Sequence, residues 1–137
     1  MNTRKLEIYA LGHSIEAALR GDGPALGFGE IHSTEVAPTI AVVVGTSGST
    51  GNPKEIGLTA DALIASATAS HKFLNAQQGQ TWSLLLPLTH IAGVNVLIRA
   101  HQLGTQALDL RDHTGAYPHS DFTAVVPTQL FKALNVD

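Results

Sequence analysis

The stretch AVVVGTSGSTGNPK, Ala41–Lys54, decides how the rest of the chain is read. The run TIAVVVGT (39–46) is continuously apolar and β-branched. Without polar alternation it predicts a strand buried on both faces. It opens directly into a loop of Thr, Ser, Gly, Asn and Pro that closes on Lys54. Gly45, Gly48 and Gly51 recur at every third position, which frees the backbone to turn sharply and aim several N–H groups at one point. Thr46, Ser47, Ser49 and Thr50 add hydroxyls, and Lys54 adds a positive charge. Such a loop suits a polyphosphate; the bland alternative is a solvated turn. A Walker loop fails the match because Lys54 follows Pro53 and precedes Glu55. GTSGST also lacks the G-x-G-x-x-G of a dinucleotide-binding turn.

Outward from the loop, strand and helix patterns alternate. His13–Arg20 reads as a short helix ended by GDGP, and PALGFGEI as a poor strand. KEIGLT is short enough to pair back on the preceding strand. Thr59 is a candidate N-cap, with Asp61 in the first turn of a helix running to about Leu74. The apolar positions Leu63, Ala67 and Leu74 of that stretch follow helical spacing. TWSLLLP reads as a buried strand, His90–Gln102 as a helix with Gly104 at its end, TQALDL and DFTAVVP as strands, and Thr128 as the start of a last helix. The expectation is an α/β fold, a mostly parallel sheet with flanking helices, in a single partial domain over residues 1–137. Ligands collect at the carboxyl ends of strands in such sheets. The loop, PLTH and PTQ all stand at such ends, so the three are expected to share a pocket.

Composition narrows the partners. The chain has 137 residues, 44% of them hydrophobic and 14% charged, with a formal charge of −3. That favours a folded core over disorder and gives no basic footprint for nucleic acid. No cysteine is present, so neither a disulfide framework nor a thiolate metal site exists. No segment approaches the ~20 apolar residues of a membrane span. A cytoplasmic protein is expected, without membrane or nucleic-acid partners.

The motifs themselves resemble a known family. VVGTSGSTGNPK is similar to the phosphate-loop signature of the adenylate-forming (AMP-binding, acyl-CoA synthetase) superfamily, and LLLPLTHIAGV resembles its LP-x-x-H-x-x-G segment. The order and wording of LPLTHIAG…IRA…LG…D…AVVPTQLFKAL are most similar to the o-succinylbenzoate–CoA ligases of menaquinone biosynthesis. The resemblance implies part of the large N-terminal domain of such an enzyme. It also implies a two-step reaction: a carboxylate attacks the α-phosphate of MgATP, and coenzyme A then displaces AMP. Thr46, Ser47, Gly48, Ser49, Thr50, Gly51 and Lys54 would hold ATP or pyrophosphate. His90, Gly93 and Thr128 would line the pocket for o-succinylbenzoate or another carboxylate, Gly93 by leaving room beside His90. No residue is assigned a catalytic role. The cofactors of the parent enzyme would be ATP, Mg2+ and coenzyme A.

Two departures accompany the match. Glu55 stands where the family commonly has Gly, setting a carboxylate beside Lys54. The family's adenine, ribose and magnesium residues and its mobile C-terminal domain would follow Asp137, so the chain is expected to be inactive alone and able to associate through a cut edge. Other readings stay open: a phosphate-binding module without chemistry, or a ligase for a different acid. His90 alone is more often a structural histidine, and Thr128 more often a helix cap. The seven histidines lack metal-ligand spacing. Asp109, Asp112 and Asp121 near Arg111 read as a solvated loop.

Overall fold

A computed structural model describes residues 2–46 and 51–134. Ser47, Gly48, Ser49 and Thr50 therefore lie outside the described residues. The element order is β1 (Arg4–Ile8), α1 (Ile15–Arg20), β2 (Ala25–Gly29), β3 (Glu35–Val36), β4 (Ile40–Thr46), β5 (Lys54–Thr59), α2 (Ala60–Leu74), β6 (Trp82–Leu84), α3 (Ile91–Gln102), β7 (Leu108–Asp109), β8 (Phe122–Thr123) and α4 (Pro127–Leu134).

The strands form two sheets, which corrects the expectation of one mostly parallel sheet. In the larger, of order β3-β1-β2-β4-β5, the inner strands β1, β2 and β4 are parallel while both edges run antiparallel. The reason at the β5 edge is local. A parallel neighbour needs a crossover of about a dozen residues or more, and the connection from Thr46 to Lys54 is too short for one. The smaller sheet, β7-β6-β8, is parallel throughout.

β4 is the spine. Val42 and Val44 pack into the main core with Leu26, Phe28, Leu84 and the inward side of α3, whereas Val43 joins Leu6 and Ala25 on the other face. Burial on both faces is what the run of valines required. Helix ends follow their local chemistry. The Thr59 hydroxyl accepts from the Ala62 N–H at 3.1 Å, capping α2. α3 ends in a Schellman turn, with Gly104 at φ 79° and N–H bonds from Gly104 to His101 and from Thr105 to Ala100. The inward face of α2 differs from expectation at its end: Leu74 is partly exposed, and His71 is buried beside Leu63 and Ala67. Positions 63, 67, 71 and 74 share one face of the helix, so the exposure of Leu74 comes from its place as the last residue of α2 and not from a turn away from the core.

Candidate functional site

Of the residues expected to hold phosphate, those that are described sit at the mouth of the β4–β5 hairpin. Thr46 and Lys54 are cross-strand partners, the last pair of the ladder. Gly51 stands at φ 80°, a left-handed position that favours glycine. Lys54 is exposed at the edge strand. The neighbouring carboxylate of Glu55 turns away from it, as successive side chains of a strand must. Glu55 Oε2 instead accepts the His32 backbone N–H at 3.1 Å. Its carboxyl is held below the usual range, first by the Ser33 hydroxyl and then by the His32 N–H. The Glu55 carboxylate is thus engaged with the backbone of the 32–33 segment and not with Lys54.

His90 occupies the N-cap position of α3 without a side-chain cap bond, so its imidazole is not committed to the helix. It is exposed, and it meets the hairpin across a cavity of about 240 Å³. Val44, Ile56, Leu58 and Ile91 form the apolar walls; Thr46, Thr89 and His90 supply the polar atoms. Ile91 is 40% exposed although the helical pattern sends it inward, because it faces this opening. Small-molecule sites run to about 300–1,000 Å³, so the cavity formed by the described residues is smaller than that range. A larger cavity of about 520 Å³, lined in part by Tyr9, His13 and His101, shares no residue with it.

The expected three-way pocket is thus realised in two parts. The hairpin mouth and the start of α3 come together, but Thr128 does not join them. It is exposed as the second residue of α4 and lines none of these cavities. Its expected cap role falls to Gln129, whose Oε1 accepts the Val126 N–H at 3.0 Å while its Nε2 donates to the Leu85 carbonyl at 3.0 Å. That is the reciprocal half of a capping box, with Pro127 at the first helical position. Gly93 is also not a source of pocket space. A Cβ there would overlap the Pro87 carbonyl oxygen, so the missing side chain lets α3 pack against the chain leaving β6 and thereby sets His90 in place. Sequence reading missed Thr89 and Ile91, although both stand in the quoted motif, and Ser33 and His32, which no local pattern connects to the loop.

Among the described residues no group of three His, Asp or Glu side chains converges as a metal site. The acidic residues expected in one loop separate into two arrangements. Asp109 forms a bidentate pair with Arg111 at 2.8 and 3.0 Å, and Asp121 accepts the Thr81 N–H at 2.8 Å. No described carboxylate lines the Thr46–His90 cavity. A hydroxyl, an imidazole and a nearby ammonium suit an anionic ligand; they do not by themselves suit a magnesium ion, which takes oxygen ligands.

Comparison with known proteins settles the family. The model of the AMP-binding enzyme family matches residues 5–129. The chain belongs to that family. It is 38% identical over 112 residues to the probable 2-succinylbenzoate–CoA ligase of Mycobacterium tuberculosis, covering 73% of this chain and 29% of that protein. The 2-succinylbenzoate–CoA ligase of Staphylococcus epidermidis is 37% identical over 62 residues, or 45% of this chain and 13% of that one. Among solved structures, an acyl-CoA synthetase (AMP-forming)/AMP-acid ligase II-like protein from Dyadobacter fermentans superimposes with a TM-score of 0.59 at 34% identity, over 67% of this chain and 28% of its own. The chain thus spans less than a third of the length of these relatives. The adenylate-forming resemblance carried by the loop motif, and its leaning toward the succinylbenzoate ligases, both stand. In this AMP-binding chain no helix among the described residues is long and apolar enough to cross a membrane.

Proposed function

We propose that the chain is the phosphate-holding part and one wall of the acyl site of an ATP-dependent carboxylate–CoA ligase whose acid is 2-succinylbenzoate. The observation that carries this reading is that Thr46, from the phosphate hairpin, and His90, from the start of α3, line one cavity. An acyl-adenylate forms only if a carboxylate is brought to the α-phosphate of bound ATP. A site for that reaction must therefore join a polyphosphate cradle to an acid pocket. Here the cradle is the hairpin mouth, with Lys54 as its cation and Ser47–Thr50 supplying further donors. The β- and γ-phosphates would rest there, and the charge that develops on departing pyrophosphate would be stabilised electrostatically. The acid would lie along Val44, Ile56 and Ile91, its reacting carboxylate near His90 and the N–H groups of the first turn of α3. Positioning the two anions is the whole of the contribution, with no covalent step on the protein.

Titration of the chain with pyrophosphate, followed by backbone amide NMR, tests the reading. Saturable shifts confined to Gly45–Lys54 are expected, and Lys54→Ala is expected to weaken the affinity by about tenfold, as loss of a charge-assisted contact does. His90→Ala is expected to leave pyrophosphate affinity alone while abolishing shifts caused by 2-succinylbenzoate. A well-folded spectrum that pyrophosphate does not perturb would sink the proposal. With no described carboxylate to hold magnesium at the cavity, thioester formation from ATP, coenzyme A and the acid is not expected from this chain alone. Detecting 2-succinylbenzoyl-CoA would overturn that part.

A further inference from the structure

Gly29 of β2, Gly45 of β4 and Glu55 of β5 stand side by side in register across three adjacent strands. The chain leaves β2 at Gly29, whose φ of 91° turns it back over the sheet. A Cβ at Gly45 would overlap the Glu30 carbonyl oxygen, and a Cβ at Gly29 would overlap the Gly45 carbonyl, so the segment 30–33 passes directly over the end of β4. It comes down on β5, where the His32 N–H meets Glu55 at 3.1 Å. The His32 imidazole faces back to Glu30 at 3.4 Å. The crossing is therefore a strap: Ile31 packs beneath it with Leu6, Ala25 and Val43, the Leu6 N–H bonds Thr34 at its far end at 2.9 Å, and Glu55 is the contact that ties it to the edge strand β5. It lies one ladder step below the pair Thr46 and Lys54.

We propose that Glu55 is a positioning residue for phosphate binding: by holding the 30–33 strap across β4, it keeps Thr46 and Lys54 in register at the mouth of the hairpin. The inference rests on the phosphate reading of that hairpin and names a residue to which that reading gives no role. An edge strand has a ladder partner on one side only, so its end is free to fray unless something else ties it. Glu55 supplies the tie by gripping a neighbouring loop. An acceptor is what the tie needs, so Gln can replace Glu here and Ala cannot.

The test compares wild type with Glu55→Ala and Glu55→Gln, reading pyrophosphate affinity and the exchange rate of the His32 amide. Glu55→Ala is expected to raise that exchange rate and weaken pyrophosphate binding, each by roughly tenfold, the effect of one lost hydrogen bond to a charged group. Glu55→Gln is expected to restore affinity to within about threefold of wild type, which a general loss of packing would not allow. Should Glu55→Ala be too unstable to titrate, Glu55→Val keeps a strand-favouring side chain while removing the acceptor and is expected to weaken binding by roughly tenfold; unchanged affinity there overturns the proposal. Wild type that binds no pyrophosphate would sink the phosphate reading and this one with it. Wild type and Glu55→Ala that bind equally would sink this one alone.

Discussion

Arg4 shows how much one side chain can tie together. Its guanidinium donates to the carbonyls of Ala18 at 2.6 Å, Gly23 at 2.7 Å and Ile40 at 3.1 Å. It thereby satisfies the open C-terminal end of α1 and links it to the start of β4. Arg4→Ala is expected to destabilise the fold by about 2–3 kcal/mol, read from a denaturant titration, because several buried carbonyls lose a charged donor. Gly45→Ala is expected to be worse tolerated than its size suggests, costing about 3 kcal/mol or more, since the Glu30 backbone must move. Acid stability is set at the same scale. The carboxyls of Asp121 and Asp109 are held below their ordinary value of 3.8, the first chiefly by the Thr81 N–H and the second chiefly by the Arg111 side chain. Each binds its proton less readily folded than unfolded, so its contribution is complete above the ordinary range and is lost as pH falls through the folded value. Thermal stability is expected to drop below about pH 4, and Asp121→Asn to flatten that acid limb.

Among the elements, β4 was legible because nothing else in the sequence concentrates β-branched residues so densely, and the α2 cap was legible because Thr59 carries its partner in its own first turn. β1 was not legible. RKLEI opens on two charges and buries only Leu6, and its polar anchor, Arg4, works on residues that are distant in sequence. β3 has only two residues, too few for any period. The burial of His71 on α2 has a tertiary cause. Trp82 Nε1 donates to His71 Nε2 at 3.0 Å, leaving Nδ1 to donate to Gln102 Oε1, and this chain of bonds satisfies a histidine buried on the inward face. Its members lie on α2, β6 and α3, so periodicity within any one helix could not reveal it. Of the candidate site, the hairpin and His90 were readable from composition and motif. The strap was not, because it joins residues 32 and 55 through the folding of a third strand.

At the scale of the molecule, the two sheets are unequally held. β2, β4 and β5 form the densely paired part, while α4 buries none of its residues and the segment 111–119 is exposed. Amide exchange is expected to be slowest in β2 and β4 and fastest in α4 and the 111–119 segment, by several orders of magnitude. Slow exchange throughout α4 would contradict this picture. Leu130 and Leu134 are exposed along α4 and Val126 just before it, and an apolar surface of this kind invites association. Sedimentation is expected to show self-association that grows with concentration, and a monomer at every concentration would count against it. The core also provides its own optical reporter. Trp82, the single tryptophan, is 2% exposed, with the Arg99 guanidinium 4.9 Å from its ring centroid and Phe122 at 5.2 Å. Its emission therefore reports on the smaller sheet and the α2–α3 contact, not on the β4–β5 hairpin. A ligand bound at Thr46 and Lys54 would leave that fluorescence unchanged, whereas loosening of the second sheet would shift it to longer wavelength well before the larger sheet gave way.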